Sequence, residues 1–146
     1  MKSVFGLLLC LWACPALAQM TPVGLWKTID DATGREKGLV RIVDENGVLS
    51  GRIEGNLGSN PPERRICDLC SDDRKNKPLL GMTILRGVRA SADETGQWDG
   101  GDILDPDSGK VYRVRLRPKN GGKQLEVRGY MGISLLGRTQ TWIRAE

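Results

Sequence analysis

Cys67 and Cys70, with only Asp68 and Leu69 between them, are the most closely spaced reactive side chains beyond the first twenty residues. A C-x-x-C pair admits three chemistries: a disulfide staple, a redox-active dithiol, or two ligands of a zinc site. The setting favours the staple, because Pro61-Pro62-Glu63-Arg64-Arg65 precedes the pair and Ser71-Asp72-Asp73 follows it, the composition of a polar loop. Arg64 and Arg65 would lower a thiol pKa and so suit redox chemistry, yet no helical pattern follows to give a thioredoxin-like surround. Zinc would have to recruit carboxylates, since the sequence has no His and no second C-x-x-C.

Carboxylates gather at Asp102, Asp105 and Asp107, where a D-x-D-x-G string suggests calcium ligation or paired acid/base groups. The same string meets the demands of a tight turn, in which Asp accepts backbone N–H groups and Gly takes a positive φ. The turn reading prevails because no bidentate Glu follows at the spacing of a calcium loop. There is no His to act as a general base near neutral pH and no G-x-S-x-G nucleophile context. The sequence therefore points to a non-enzymatic protein without catalytic residues, metal or cofactor.

Arg113, Arg115, Arg117, Arg128 and Arg138 would form a cationic stripe if their strands share a face. Such a stripe is either a solvated wall or a surface for anions such as lipid headgroups, lipopolysaccharide phosphates or acidic protein faces. Trp26, Trp98, Trp142, Tyr112 and Tyr130 hold most of the aromatic area beyond the first eighteen residues. Core plugs are the default role for such rings. Trp98 and Trp142, with Gln140 and Tyr112, are the candidates for a ligand wall.

The segments that must position these groups begin after residue 18. Met1-Lys2-Ser3, the apolar run 4–14 and Ala16-Leu17-Ala18 have the charge, length and A-x-A site of a secretory signal peptide. The expected division is a signal peptide at 1–18 and a single domain at 19–146. A competing reading makes Cys14 a lipidated N-terminus, against which Trp12 is bulky. Cys10 and Cys14 leave with the leader, so Cys67 and Cys70 remain in an oxidising compartment where a disulfide is the expected product. The apolar run falls short of the roughly 20 residues that span a bilayer, and no later stretch approaches that length. Loss of Lys2 lowers the net charge from +4 to +3, too weak and too interspersed for a nucleic-acid binder.

Beyond the leader, apolar residues alternate at period two in short runs broken by Gly, Asp, Asn and Pro, and no helical period persists over three turns. Strands are expected at 23–29, 38–44, 47–54, 82–89, 97–104, 110–117, 123–130 and 138–144. Asp30 to Gly34, Glu45-Asn46-Gly47, Asp93 to Gly96, Asp105 to Gly109 and Pro118 to Gly122 have hairpin chemistry, so neighbouring strands should be antiparallel and adjacent. Only 55–81 is long, and it carries the Cys pair. Eight such strands with no helix to cover them leave costly edges unless the sheet closes. The predicted fold is all-β, an eight-stranded antiparallel up-and-down barrel with little or no helix, with a sandwich as the alternative. Tyr112, Val114 and Leu116 alternate with Arg113, Arg115 and Arg117, which marks a half-buried strand. The last strand is ambiguous. Arg138, Gln140, Trp142 and Arg144 oppose Thr139, Thr141 and Ile143, and either set fits the inside.

Gly24-Leu25-Trp26, opening the first expected strand, resembles the G-x-W signature of lipocalins and their calycin relatives. That resemblance implies a Trp packed at the closed end of a barrel with a late Arg over it, a role for Arg144 or Arg138. The chain is shorter than a lipocalin and has no candidate C-terminal helix, so a smaller barrel of calycin or avidin type fits as well. A second resemblance spans essentially all of 19–146. It rests on Gly24-Leu25-Trp26 with Asp30-Asp31, Cys67 to Cys70 followed by Asp73 to Pro78, Gly81-Met82, Trp98 with Gly101, Ile103 to Pro106, Gly109 to Tyr112, Arg128 to Gly132 and Gly137 to Trp142. In these the chain is similar to the exported bacterial family known as domain of unknown function 2147, which implies a periplasmic β-barrel-like domain and supplies no catalytic residues.

Three functions remain open at this stage. One is a lipocalin-like module binding a small apolar or amphipathic ligand. Another is an envelope protein-interaction domain using the basic outer face and the Cys67–Cys70 loop. The third is an enzyme or redox protein. The oligomeric state is not encoded in any of these patterns.

Overall fold

The computed structural model describes residues 20–56, 65–133 and 136–146, and the expected signal peptide at 1–18 lies outside the described residues. Eight strands follow in order: β1 (Gly24–Ile29), β2 (Glu36–Glu45), β3 (Val48–Asn56), β4 (Thr83–Ala90), β5 (Trp98–Asp105), β6 (Lys110–Lys119), β7 (Gln124–Tyr130) and β8 (Gly137–Arg144). Each pairs antiparallel with the next, and β1 returns to β8 with Trp26 opposite Arg144 and Lys27 opposite Ile143. The sheet is thus a closed barrel, the predicted architecture. Among the described residues the helical content is a single 3₁₀ turn at Asn120–Gly122.

Local chemistry explains the turns. Asn46 and Gly47 both take positive φ, 55° and 84°, and Asp44 Oδ1 accepts the Gly47 N–H at 2.7 Å. That combination suits the tight twist of a two-residue hairpin. Alternation sets the faces: Val114 and Leu116 on β6 and Leu125 and Val127 on β7 are buried inside, leaving Arg113, Arg115 and Arg117 on the outer wall. β4 departs from alternation. Ile84 and Leu85 are both buried because the β3–β4 register slips around Gly51, letting successive side chains enter the barrel.

An up-and-down meander has two ends. The β2–β3, β4–β5 and β6–β7 turns cluster at one, and the other four connections at the opposite one. The first end is filled by Trp26, Ile42, Leu49, Val88, Leu116 and Leu125, each at most 1% exposed. Arg144 seals it, its guanidinium carbon 4.2 Å from the centre of the Trp26 ring. Its three nitrogens donate to the carbonyls of Gly122 (2.6 Å), Val23 (2.9 Å) and Thr21 (2.8 Å). Trp26 Nε1 in turn donates to Pro22 O at 2.7 Å. Gly24 has φ 137°, and a Cβ there would lie 2.4 Å from an Arg144 nitrogen, so the G-x-W glycine is demanded both by backbone conformation and by the arginine.

At the opposite end residues 65–82 of the long β3–β4 connection are fastened down. Cys67 and Cys70 form a disulfide, and both are buried. Cys67 N–H donates to Lys77 O, and Asn76 N–H to Cys67 O. Gly109, in the β5–β6 turn, lets this loop press close: a Cβ at Gly109 would lie 2.0 Å from Leu69 O. Arg74 is 4% exposed; it grips both oxygens of Asp72 and donates to Thr83 O at 3.0 Å, tying the loop to β4.

Two stability outcomes follow. Arg144→Ala is expected to cost about 3 kcal/mol in urea unfolding, because hydrogen bonds from a charged donor contribute about 1.5–3 kcal/mol each and are not additive. Arg144→Lys should recover only part of this, since an ammonium cannot span three carbonyls. Replacing Cys67 and Cys70 together by Ser should cost about 2 kcal/mol, the chain-entropy value for so short a loop, with the barrel retained in far-UV circular dichroism.

Candidate functional site

The open half of the barrel encloses a cavity of about 720 Å³. Its walls are hollowed by residue size. Gly38, Gly55, Gly129 and Gly137 line it and contribute no side chain, whereas the closed half is filled by Trp, Leu and Ile. The apolar lining comes from Val40, Ile53, Ile84, Ile103, Leu104 and Val127, with Trp142. Trp142 is 2% exposed, and its Nε1 donates to Gln140 Oε1 at 3.2 Å. Gln140 Nε2 donates to Asp31 Oδ2 at 2.9 Å, and Arg138 Nε reaches the same oxygen at 3.2 Å. This chain satisfies the indole N–H internally, so the ring presents hydrocarbon to the cavity while the charges stay at the mouth.

A second set of charges ties three rim segments together. Lys37 on β2 and Arg65 in the disulfide loop both pair with Asp107 in the β5–β6 turn, the arginine at 2.9 Å. Burial raises the Asp107 pKa, but the hydrogen bonds and charges of Lys37 and Arg65 outweigh it and leave the carboxyl below its ordinary value. Asp30 is also lowered, chiefly by the Thr33 N–H, because it caps its own turn. Asp105 accepts from Asp107 N–H and Ser108 Oγ, which is the turn role. Among the described residues no group of three or more His, Cys, Asp or Glu is arranged to hold a metal ion. The disulfide sits beneath the loop surface, so neither sulfur faces an incoming thiol.

Of the four candidates for a ligand wall, Tyr112, Gln140 and Trp142 meet at the cavity, and Trp98 does not line it. Trp98 opens β5 at the closed end, half-buried opposite Leu116 and packed against the filled core. The expected arginine stripe is also divided. Arg113, Arg115 and Arg128 lie on the outer wall, Arg115 directly opposite Arg128, and Arg128 donates to Thr139 Oγ1. Arg138 instead belongs to the mouth with Asp31. The sequence reading did not place Asp31, Lys37 and Arg65 at a binding mouth. Their signal was position: all three flank connections that an up-and-down meander must place at one end.

The family model described as "Uncharacterized protein conserved in bacteria (DUF2147)" matches residues 24–144. The chain belongs to this family. Its matched span begins at the Gly24 of the sealed end and finishes at Arg144, so it contains every barrel strand. Among solved structures the fold is similar to protein HP1028 from the human pathogen Helicobacter pylori, described as belonging to the lipocalin family. The TM-score is 0.74 and the sequence identity 19%, with 87% of this chain and 84% of that chain covered. At that identity the likeness shows the fold. No curated protein matches the sequence.

The loop over the cavity should carry a measurable pH signature. Hydrogen bonds from Arg74 hold the Asp72 carboxyl at about 2, below its value in an unfolded chain. A depressed folded pKa stabilises above the unfolded value, near 4, and that contribution fades as pH falls towards 2. The melting-temperature gap between the parent chain and Asp72→Asn is therefore expected to be level above about pH 5 and to close between about pH 4 and 2, by circular dichroism.

Proposed function

We propose that the protein is a non-enzymatic binding module that takes the apolar part of a small amphipathic molecule into its barrel, and that it works in the periplasm after loss of its leader. The observation that carries the reading is the cavity of about 720 Å³, blind at the Arg144 end, lined by hydrocarbon and rimmed by charge. That volume lies within the range of about 300–1,000 Å³ common for small-molecule sites. Walls of Val40, Ile53, Ile84, Ile103, Leu104 and Val127, with the Trp142 N–H already bonded, favour a ligand segment that is mainly apolar and held chiefly by its burial. The mouth charges leave a polar headgroup in contact with water and with Lys37, Arg65, Arg138, Asp31 and Asp107. The disulfide suits an oxidising compartment, in keeping with the signal-peptide pattern.

The test is displacement of N-phenyl-1-naphthylamine by a series of straight-chain amphiphiles that differ only in length. Each added methylene should tighten binding about fourfold, the equivalent of about 0.8 kcal/mol, until the cavity is full. Gly129→Leu should abolish binding while preserving the fold. A Cβ at Gly129 meets only ordinary contacts, the nearest 3.4 Å away at Tyr112, and the rest of the leucine would occupy the cavity. Dye binding that ignores both chain length and Gly129→Leu would place the ligand elsewhere.

A further inference from the structure

Of the nine large apolar side chains exposed among the described residues, six sit on the connections of the open end: Ile66, Leu69, Leu80, Met131, Ile133 and Leu136. The turns of the closed end carry none. Leu69, Ile133 and Leu136 are 57%, 60% and 69% exposed, well beyond what packing against the barrel requires. Leu80 and Leu136 also line the cavity, so two of these exposed side chains belong to both the outside of the rim and the interior.

The charges of the same rim are sorted. Asp31, Asp72, Asp73 and Asp107 are engaged by Arg138, Arg74, Arg86 and the Lys37/Arg65 pair, while Asp30 and Asp105 cap their own turns. Arg35, Lys77 and Lys110 are exposed on this end and form no ion pair with a carboxylate among the described residues, where Asp30, Asp68 and Asp105 likewise form no ion pair with a cation. Exposed apolar side chains interleaved with free, long-armed cations complement a surface that is apolar beneath and anionic on top.

We infer that the open rim docks on the surface of an anionic lipid bilayer, with the apolar residues of the β3–β4 and β7–β8 connections entering the headgroup layer and Arg35, Lys77 and Lys110 meeting lipid phosphates. The cavity mouth then faces the lipid, and an amphiphile passes between bilayer and barrel without carrying its apolar part through water. This surface goes beyond the cavity reading and does not require any particular cavity ligand.

The experiment is vesicle flotation of residues 19–146, which contain every strand of the closed barrel. The protein should float with phosphatidylglycerol–phosphatidylethanolamine vesicles, about tenfold less with phosphatidylcholine alone, and less as salt is raised. A triple variant, Leu69→Ser with Ile133→Ser and Leu136→Ser, should lose about tenfold of its vesicle binding, because each side chain is exposed and its loss spares the core. Ile143→Ser, on the outer wall, should leave flotation unchanged. Absence of flotation, or equal flotation of the triple variant, would overturn the inference. So would self-association, or capture of a protein partner, that the triple variant abolishes without any vesicle binding. Dye binding in the cavity, measured in parallel, separates failure of this surface from failure of the binding reading.

Discussion

The guanidinium of Arg144, stacked on Trp26 and bonded to three carbonyls, is the constraint from which the rest of the molecule follows. It sits where β8 meets β1, so it joins the last strand, the first strand and the segment before it in one place. An eight-stranded barrel has an interior that side chains can just fill or that can hold one small guest. Here the same ring does both, because large residues crowd the Arg144 end and glycines line the other. Sealing one end leaves the hollow half to open at the other. Among the described residues, the charges of Asp31, Lys37, Arg65, Asp107 and Arg138 all lie at that mouth.

Polarity within that pocket is arranged by pairing, not by exclusion. Trp142 is buried with its N–H bonded to Gln140, Gln140 is held by Asp31, and Asp31 faces Arg138 at the rim. A buried indole N–H without a partner would cost about 1–3 kcal/mol and would ask a ligand to supply an acceptor. Satisfied internally, it makes no such demand. The Cys67–Cys70 disulfide is buried, and the close approach of Gly109 to Leu69 sets it against the β5–β6 turn, anchoring the loop beside the mouth.

Strand positions and closure were legible in the sequence because they rest on local signals: period-two alternation, Asn-Gly and Asp-rich turns, and the absence of any helix to cover a sheet face. The parity of β8 was not legible. Thr139, Thr141 and Ile143 oppose Arg138, Gln140 and Trp142, and composition cannot choose between sets that both mix polar and apolar residues. The choice is made by closure, where Trp26 opposite Arg144 fixes which residues of β8 point inward. Trp98 and Arg138 were harder for a related reason. Strands in a meander alternate direction, so Trp98, first in β5, falls at the filled end, while Arg138, second in β8, falls at the mouth. Residue type suggested a wall and a stripe, and position along the strand assigned both differently. The rim pairs escaped notice because each joins residues distant in sequence, Asp31 with Arg138 and both Lys37 and Arg65 with Asp107, which meet only after the ring closes.

The ion pairs of the mouth are weaker than the bonds that hold the floor. Lys37, Arg65 and Asp107 are all close to half exposed, so their ion pairs are screened by water and salt and contribute modestly. The Arg144 plug is partly buried and bonded to backbone that the barrel itself fixes in place. Local opening draws on the least stable contacts first. The half-exposed ion pairs of the rim are therefore its weaker contacts, and they stand at the end where apolar side chains lie at the surface. Leu80 and Leu136 belong to both the cavity wall and the outer rim, so any movement of these loops changes the entrance and the exposed apolar area together. Access to the interior and the character of the outer rim are thus one property of the same few side chains.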